Sequence, residues 1–233
     1  MKYSFLKDVI EWDVYNWSNT LKVWQPIIEK LPKDAKILAV GERNGGLSLW
    51  LASLGFKVEC TDRYPPSPRA MDLHEGYNLQ DNISYRVIDI VHDVLPNEQY
   101  DLVILKSVFG GLKEDYKNPE TRTSSVRQKA LENIYKSLKS GGYILSADNM
   151  KGSKFHQFLR KVMNKNSGWH YFSIPEILAF FKLFPSVKID YSSIIPTSFQ
   201  NPVLNKLFYF INQNVLFWLP QSSRYISITT ARK

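Results

Sequence analysis

The sequence predicts an α/β protein, with a doubly wound, mostly parallel seven-stranded sheet and a final antiparallel strand. Three observations carry that expectation. Short unbroken apolar runs such as Tyr100–Lys106 (YDLVILK) alternate with helical segments, and such runs mark strands buried on both faces of a parallel sheet. Residues 36–62 read as a strand (Ile37–Val40), a turn bearing Gly41, Gly45 and Gly46, a short helix (Leu47–Leu54) and a second strand (Lys57–Thr61) closed by Asp62. The last residues, Ser223–Lys233 (SRYISITTARK), alternate as a closing strand does.

At 233 residues, with 44% hydrophobic and 22% charged side chains, the chain suffices for one such domain with some embellishment. Cys60 is the single cysteine and can form no internal disulfide, and its place in the second strand suits a small core residue in a reducing compartment. The opening MKYSFLKDVIEWD sets acids close behind a very short apolar run, unlike a secretory leader. No stretch reaches the roughly 20 apolar residues that span a bilayer. A cytoplasmic location is expected, with a peripheral place at a membrane as a variant of it.

The net charge of +8 is unevenly spread. Residues 1–150 carry 19 Lys/Arg against 20 Asp/Glu, whereas residues 151–233 carry 11 Lys/Arg and only Glu176 and Asp190 as acids. The basic surplus of the second part suits a phosphate-bearing partner (nucleic acid, an anionic membrane surface or an anionic substrate) or a solvated basic surface.

In chain order, residues 1–35 read as an N-terminal helical cap on a main domain of residues 36–233. Val14, Trp17, Leu21, Trp24 and Ile28 step by three and four onto one helical face. Pro26 is expected to interrupt or restart this helix, and Leu31-Pro32 to end it. The cap either covers the sheet or closes over a site, offering Trp12 and Trp17. After the second strand, Tyr64–Arg69 is a proline-rich loop, with a short helix at Ala70–Leu73. Ile83–Ile90 reads as a third strand ending in Asp89-Ile90.

Beyond Tyr100–Lys106, residues 107–125 loop out, and Val126–Leu138 forms a helix with Ala130, Ile134 and Leu138 on one face. Gly141-Gly142 is expected to cap it before a fifth strand, Tyr143–Ala147, and Asp148-Asn149. A basic helix over Ser153–Asn164 carries Phe155, Phe158, Leu159 and Val162, and Ser173 with Glu176 forms a capping box opening an apolar helix.

Before the last strand, Leu204, Leu207, Phe208, Ile211, Val215, Trp218 and Leu219 recur at helical spacing, with Phe210 and Phe217 off that stripe. Residues 202–220 thus form an apolar helical insertion. It is either buried between the sheet and another element or meets a second surface: a homodimer interface, a substrate lid or a membrane surface through residues 202–219.

The strand–glycine turn–helix–strand–acid order of residues 36–62 resembles class I S-adenosylmethionine-dependent methyltransferases. Their first motif runs roughly hydrophobic-acid-x-Gly-x-Gly-x-Gly at a strand–helix junction. The resemblance covers about residues 36–195 and 222–233 and implies S-adenosylmethionine as cofactor. Two positions depart from it: Ala39 stands where the family has an acid, and Arg43 where it has its second glycine. The resemblance places Gly41, Glu42, Asn44 and Gly45 around the methionine moiety, Asp62 on the ribose hydroxyls with Arg63 beside it, and Asp89 with Ile90 at adenine. Glu42 is the candidate to replace the missing acid.

Methyl transfer from a sulfonium asks mainly for in-line placement, plus a base where the acceptor loses a proton. Lys106 and Asp148, at the carboxyl ends of the fourth and fifth strands, are the candidate catalytic residues, and Lys106 also borders the cofactor. The two could pair with each other. Asp148-Asn149 resembles a metal-ligand pair of the catechol O-methyltransferase group, but Lys106 stands where that group has another Asp, so no catalytic metal is expected. His156 and His170 are further candidate bases. N6-adenine chemistry is disfavoured because the fourth strand ends in Lys106-Ser107-Val108-Phe109 rather than Asn/Asp-Pro-Pro-aromatic, and Cys60 lies in the wrong strand for cysteine-dependent C5 chemistry. The expected acceptor is a small or glycan-like molecule, methylated at oxygen. An RNA acceptor, a non-catalytic Rossmann-like binding protein and a nicotinamide dehydrogenase are the alternatives. The RNA reading has no added RNA-binding module behind it, and the dehydrogenase reading lacks a substrate domain.

Overall fold

In a computed structural model, described over residues 1–115, 123–162 and 168–233, seven strands form one sheet. They are β1 (Ile37–Val40), β2 (Val58–Asp62), β3 (Ile83–Val87), β4 (Tyr100–Lys106), β5 (Leu138–Asn149), β6 (Ser186–Ser192) and β7 (Ile226–Arg232). The strand order is β3-β2-β1-β4-β5-β7-β6, and β7 runs antiparallel to both of its neighbours. The sheet is therefore mostly parallel and doubly wound, as expected. The winding reverses between β1 and β4, and open α/β sheets bind ligands beyond the carboxyl ends of the strands at such a switch point.

Apolar residues fill both faces. One core joins Leu38, Val40, Val103 and Leu105 to α6 (Ser124–Ser137) and α8 (Ile174–Phe180). The other joins Ile37, Ala39, Leu102 and Ile104 to α4 (Gly46–Ser53) and to the N-terminal helices. Alternate residues of a strand point to opposite faces, so β1 and β4 feed both cores.

The N-terminal segment forms three helices rather than one: α1 (Tyr3–Ile10), α2 (Val14–Trp17) and α3 (Asn19–Ile28). Glu11 (φ 71°) and Asp13 (φ 47°), whose positive φ interrupts a helix, part α1 from α2, and α2 gives way to α3 at Ser18. Pro26 does not interrupt α3. It removes one N–H near the helix end, and the fully buried Trp24 and Ile28 on either side hold the last turn in place. All five residues of the expected apolar face are buried.

Other boundaries differ for local reasons. The third strand stops at Val87 and leaves Asp89-Ile90 in the loop beyond it. The helix expected at Ala70–Leu73 is α5 (Pro68–Gly76), opened by the Ser67 hydroxyl accepting from the Ala70 N–H. Gly141-Gly142 does not cap α6. The helix ends at Ser137, Leu138 pairs with Tyr100, and the glycines lie in an irregularity of β5, where Gly141 takes φ 80°. The basic helix is α7 (Lys154–Val162), and the last two residues expected of it lie outside the described residues, as do residues 116–122 of the loop after β4.

The insertion before β7 folds as α9 (Pro202–Asn214) and a short turn, and it is not buried between elements. Asn205 and Asn212 face the protein, while Val203, Leu207, Phe210, Phe217 and Trp218 are exposed. Asn212 Oδ1 accepts from the N–H groups of Ile194 and Ile195 at 3.1 and 2.9 Å, and its Nδ2 donates to Asn16 Oδ1 at 3.1 Å.

Asp13 is the centre of this packing. Its carboxylate accepts from the Tyr225 hydroxyl in a short hydrogen bond, from Thr197 N–H (2.8 Å) and hydroxyl (2.6 Å), and from Asn16 Nδ2 (3.1 Å). It thereby ties α2 to the start of β7 and to the loop that leads into α9. Asp13→Ala strands these buried donors and should cost on the order of 3 kcal/mol or more in urea unfolding, whereas Asp13→Asn, which keeps an acceptor and tolerates a left-handed backbone, should cost distinctly less.

Candidate functional site

A cleft of about 230 Å³ opens at the carboxyl ends of β1, β2 and β4, where the winding reverses. Gly41, Asp62, Arg63, Asp89 and Ile90 all line it, brought together from three strand ends, and Val108 and Trp169 form further wall. Gly41 adopts φ 72°, and a Cβ there would sit 2.5 Å from Val108 Cγ2, so both the backbone and the space require glycine. Ser107, also lining the cleft, holds a left-handed φ of 57°. Its N–H donates to Ala147 O, and its hydroxyl accepts from Asn149 Nδ2 at 2.7 Å.

Asp62 closes β2 with Oδ1 accepting from the Tyr64 N–H at 3.1 Å, which fixes the carboxylate at the rim. Asp89 is held more firmly. Its Oδ1 accepts from the Val91 N–H at 3.0 Å, and its Oδ2 lies 3.0 Å from His92 Nδ1 and 3.4 Å from Arg63 Nε. Partial burial pushes its carboxyl up, but the His92 hydrogen bond, the Val91 N–H and the nearby cations outweigh that and leave it below its usual range. Asp89 is therefore a charged acceptor at neutral pH.

Glu42, Asn44, Gly45 and Lys106 do not line this cleft. Glu42 turns inward, where Oε2 accepts from the Ser48 N–H of α4 at 3.0 Å, and burial pushes its carboxyl up despite that bond and the nearby Lys106. The anion-attracting start of α4 is thus occupied by the chain's own acid. Asn44 donates to Glu11 Oε2 at 3.0 Å. The Gly45 carbonyl accepts from His74 Nε2 at 2.8 Å, and the adjacent Gly46 lets the Val9 carbonyl of α1 approach closely. The glycine turn serves packing along most of its length.

Lys106 points away from the cleft. Its Nζ donates to Ile10 O at 3.0 Å and sits 3.3 Å from the centroid of the Trp12 ring. Burial pulls its ammonium down, against the pull of Glu11 and Glu42. The expected pairing with Asp148 does not form. Lys106 registers with Ala147, so it shares that residue's face, and Asp148, one position on, faces the opposite core. Asp148 is 1% exposed, accepts from the Ser146 hydroxyl at 2.5 Å, and is raised by burial to about 6.

A second recess of about 260 Å³ carries Arg127, His170 and Glu176, with His170 Nε2 3.8 Å from Glu176 Oε1. Trp169 lines the first cleft and His170 the second, and the Trp169 ring covers Gly110 and Gly111. Val108, Trp169 and His92 escape a reading by motif. Glycine pairs facing a distant tryptophan leave no mark of their pairing in sequence, and His92 was visible only as a polar residue three positions past Asp89. His156 lies apart, edge-on to Tyr225, with burial and Arg160 lowering it to about 4.

No curated protein matches the chain by sequence. Among solved structures, phosphoethanolamine N-methyltransferase 2 of Haemonchus contortus in complex with S-adenosyl-L-methionine is similar at 15% identity and a TM-score of 0.60 over 93% of this chain and 52% of that one. The chain thus spans about half the length of that enzyme. A putative sarcosine dimethylglycine methyltransferase of Galdieria sulphuraria is similar at 15% identity and a TM-score of 0.58, over 93% of this chain and 85% of that one. A possible histamine N-methyltransferase of Thermotoga maritima covers 99% of this chain and 97% of its own at 14% identity and a TM-score of 0.58. At these identities the likeness is one of fold. The family model described as tellurite resistance protein TehB matches residues 13–161, well over half the sequence and all of β1 to β5 with the cleft residues between them. The chain belongs to the TehB family, a family of S-adenosylmethionine-dependent methyltransferases.

Proposed function

We propose that this chain transfers a methyl group from S-adenosylmethionine to an oxygen of a small or glycan-like anionic acceptor. The observation that carries this reading is the gathering of Gly41, Asp62, Arg63, Asp89 and Ile90 around one cleft at the switch point of the sheet. The residues suit the cofactor at its nucleoside end. Asp62 would hold the ribose hydroxyls, Asp89 would accept from the adenine amino group, and Ile88, Ile90 and Leu112 offer apolar walls to a flat ring. When bound, the sulfonium brings an already activated methyl group.

The chain's own part is then placement. Trp169, lying on Gly110 and Gly111, would keep water from the end of the cleft next to the second recess. That recess would take the acceptor, with Arg127 attracting a negative group and His170 receiving the proton that the hydroxyl loses. The reading favours oxygen over cysteine-dependent carbon chemistry because Cys60 is buried in β2, where burial and the nearby Glu42 push its thiol up to about 12. Residues 1–35 act as a cap in this reading: Lys106 holds the Ile10 carbonyl and the Trp12 ring at the end of β4. A partly desolvated cation–π contact of this kind contributes on the order of 2 kcal/mol.

Calorimetry tests the cofactor assignment directly. The protein should bind S-adenosylhomocysteine and not NAD, and Asp62→Ala should weaken that binding roughly tenfold or more, the worth of hydrogen bonds to a charged acceptor. Binding of NAD alone, or unchanged affinity in the variant, overturns it. For Lys106→Ala, chymotryptic cleavage after Trp12 should accelerate severalfold while cofactor affinity changes little. Unchanged cleavage with lost turnover would instead put Lys106 on the substrate.

Asp148 carries a pH signature. Its folded value, about 6, exceeds the value of an exposed Asp, so its contribution to stability is full in acid and is lost as pH rises through 6. Asp148→Asn should therefore stabilise the protein at pH 8, by on the order of 2 kcal/mol, relative to its effect at pH 4. Paired urea titrations read this difference.

A further inference from the structure

α9 is built inside out. The residues it turns toward the protein are polar: Asn205, whose amide both donates to and accepts from the Phe199 backbone at 2.9 Å; Tyr209, whose hydroxyl donates to Asn19 Oδ1 at 3.1 Å; and Asn212, 2% exposed. The residues it turns outward are large and apolar. Val203 is 70% exposed, Phe210 58%, and in the following turn Phe217 and Trp218 are 66% and 70% exposed. The polar stripe steps by four and three, with Phe208 and Ile211 half-buried at its margins, while Val203, Leu207 and Phe210 step by four and three on the outward side. A contiguous outward apolar face of this kind is a contact surface rather than scattered exposure.

The charge around it points to the occupant. No acid follows Asp190 in the sequence, and Lys206 and Arg224 are the only charges between residues 193 and 224. Beside Phe217 lies the largest recess among those described, about 660 Å³, whose wall includes Lys22, Lys188 and Arg224 with Asp190 as its one acid. Asp190 pairs with Lys188 at 3.0 Å, which leaves the Lys22 and Arg224 charges in excess. The exposed amide side chains of Gln213 and Gln221 add to a polar lining that suits a phosphate diester. An apolar helix face flanked by cations, aromatic at one end and next to a polar cationic recess, is the pattern of a helix lying in the headgroup boundary of an anionic bilayer.

We propose that α9 and the turn through Trp218 dock this protein on an anionic lipid surface. The outward side chains enter the headgroup boundary, and the recess bordered by Lys22 and Arg224 takes a lipid phosphate. This stands apart from the methyl-transfer reading, since none of these residues lines the cofactor cleft.

Flotation of the full chain with phosphatidylcholine vesicles, with and without phosphatidylglycerol, tests it. The protein should float with the anionic vesicles, sediment with the neutral ones, and detach as salt rises. The triple variant Phe210→Ser, Phe217→Ser, Trp218→Ser should partition roughly tenfold less or weaker still, and Lys22→Glu with Lys206→Glu should lose binding to anionic vesicles while the apolar face stays intact. Unchanged binding of S-adenosylhomocysteine or an unchanged circular dichroism spectrum certifies the fold of each variant. Should the triple variant not fold, quenching by bromolipids in the wild type that is lost in Trp218→Phe gives the same answer. Absence of flotation, equal flotation with both vesicles, or full binding by the triple variant overturns the proposal. So does a concentration-dependent dimer, measured by light scattering, that the triple variant abolishes, because the face would then belong to a second copy.

Discussion

The buried carboxylate of Asp13 is the constraint on which the rest of the arrangement depends. Four donors from three residues converge on it, two of them distant in the chain: Asn16 beside it, Thr197 before α9, and Tyr225 at the entry to β7. Burial together with Asp13 pushes the Tyr225 hydroxyl well above its ordinary range, so that hydroxyl remains a donor at every pH the protein meets. Asp13 takes a left-handed backbone, and the chain reverses just after α1. That reversal delivers the Ile10 carbonyl and the Trp12 ring to Lys106, and on the other side it lets Asn16 meet Asn212 of α9. One buried acid thus fixes both the cap at the end of β4 and the orientation of the exposed helix.

At the cleft, the fold's geometry matters more than its glycine motif. The start of α4 faces Glu42, which accepts from the free N–H of Ser48 from within the protein. Besides Gly41 at the end of β1, what converges on the cleft comes from the loops after β2, β3 and β4, where Asp62, Asp89 and Ser107 are each held by a backbone or side-chain partner. In the turn that carries Arg43, the close approaches at Gly45 and Gly46 are to His74 and to α1. The departure from the family motif and the inward Glu42 are two sides of one arrangement.

The strands and Gly41, Asp62, Arg63, Asp89 and Ile90 of the cleft were legible in the sequence because each signal is local. YDLVILK declares a doubly buried strand by composition alone, Asp62 closes β2, and Asp89 follows β3 by two residues. What could not be read depends on facing. Lys106 and Asp148 lie at the ends of adjacent strands, where the sequence alone would pair them, yet a register of Lys106 with Ala147 sends them to opposite sides of the sheet. Periodicity in α9 marked an apolar stripe but not which way it turns. The decisive residues were the asparagines at 205 and 212 with Tyr209, a polar stripe of equal regularity whose burial follows from hydrogen bonds to Phe199, Asn16 and Asn19. Trp169 over Gly110 and Gly111 required the tertiary fold.

The sheet also relates the exposed helix to the cleft. β6 pairs antiparallel with β7, which pairs antiparallel with β5, so β6 runs the same way as β5 and β4. Ser192 and Asn149 share the partner Ile226, and the chain therefore leaves β6 for α9 at the same edge where β4 delivers Ser107 to the cleft. A protein held by α9 against a surface would bring this carboxyl edge near it rather than the opposite edge of the sheet. An acceptor reaching the recess of Arg127 and His170 would then arrive from the side on which the helix lies, and the basic surplus of residues 151–233 would act on headgroup and acceptor alike.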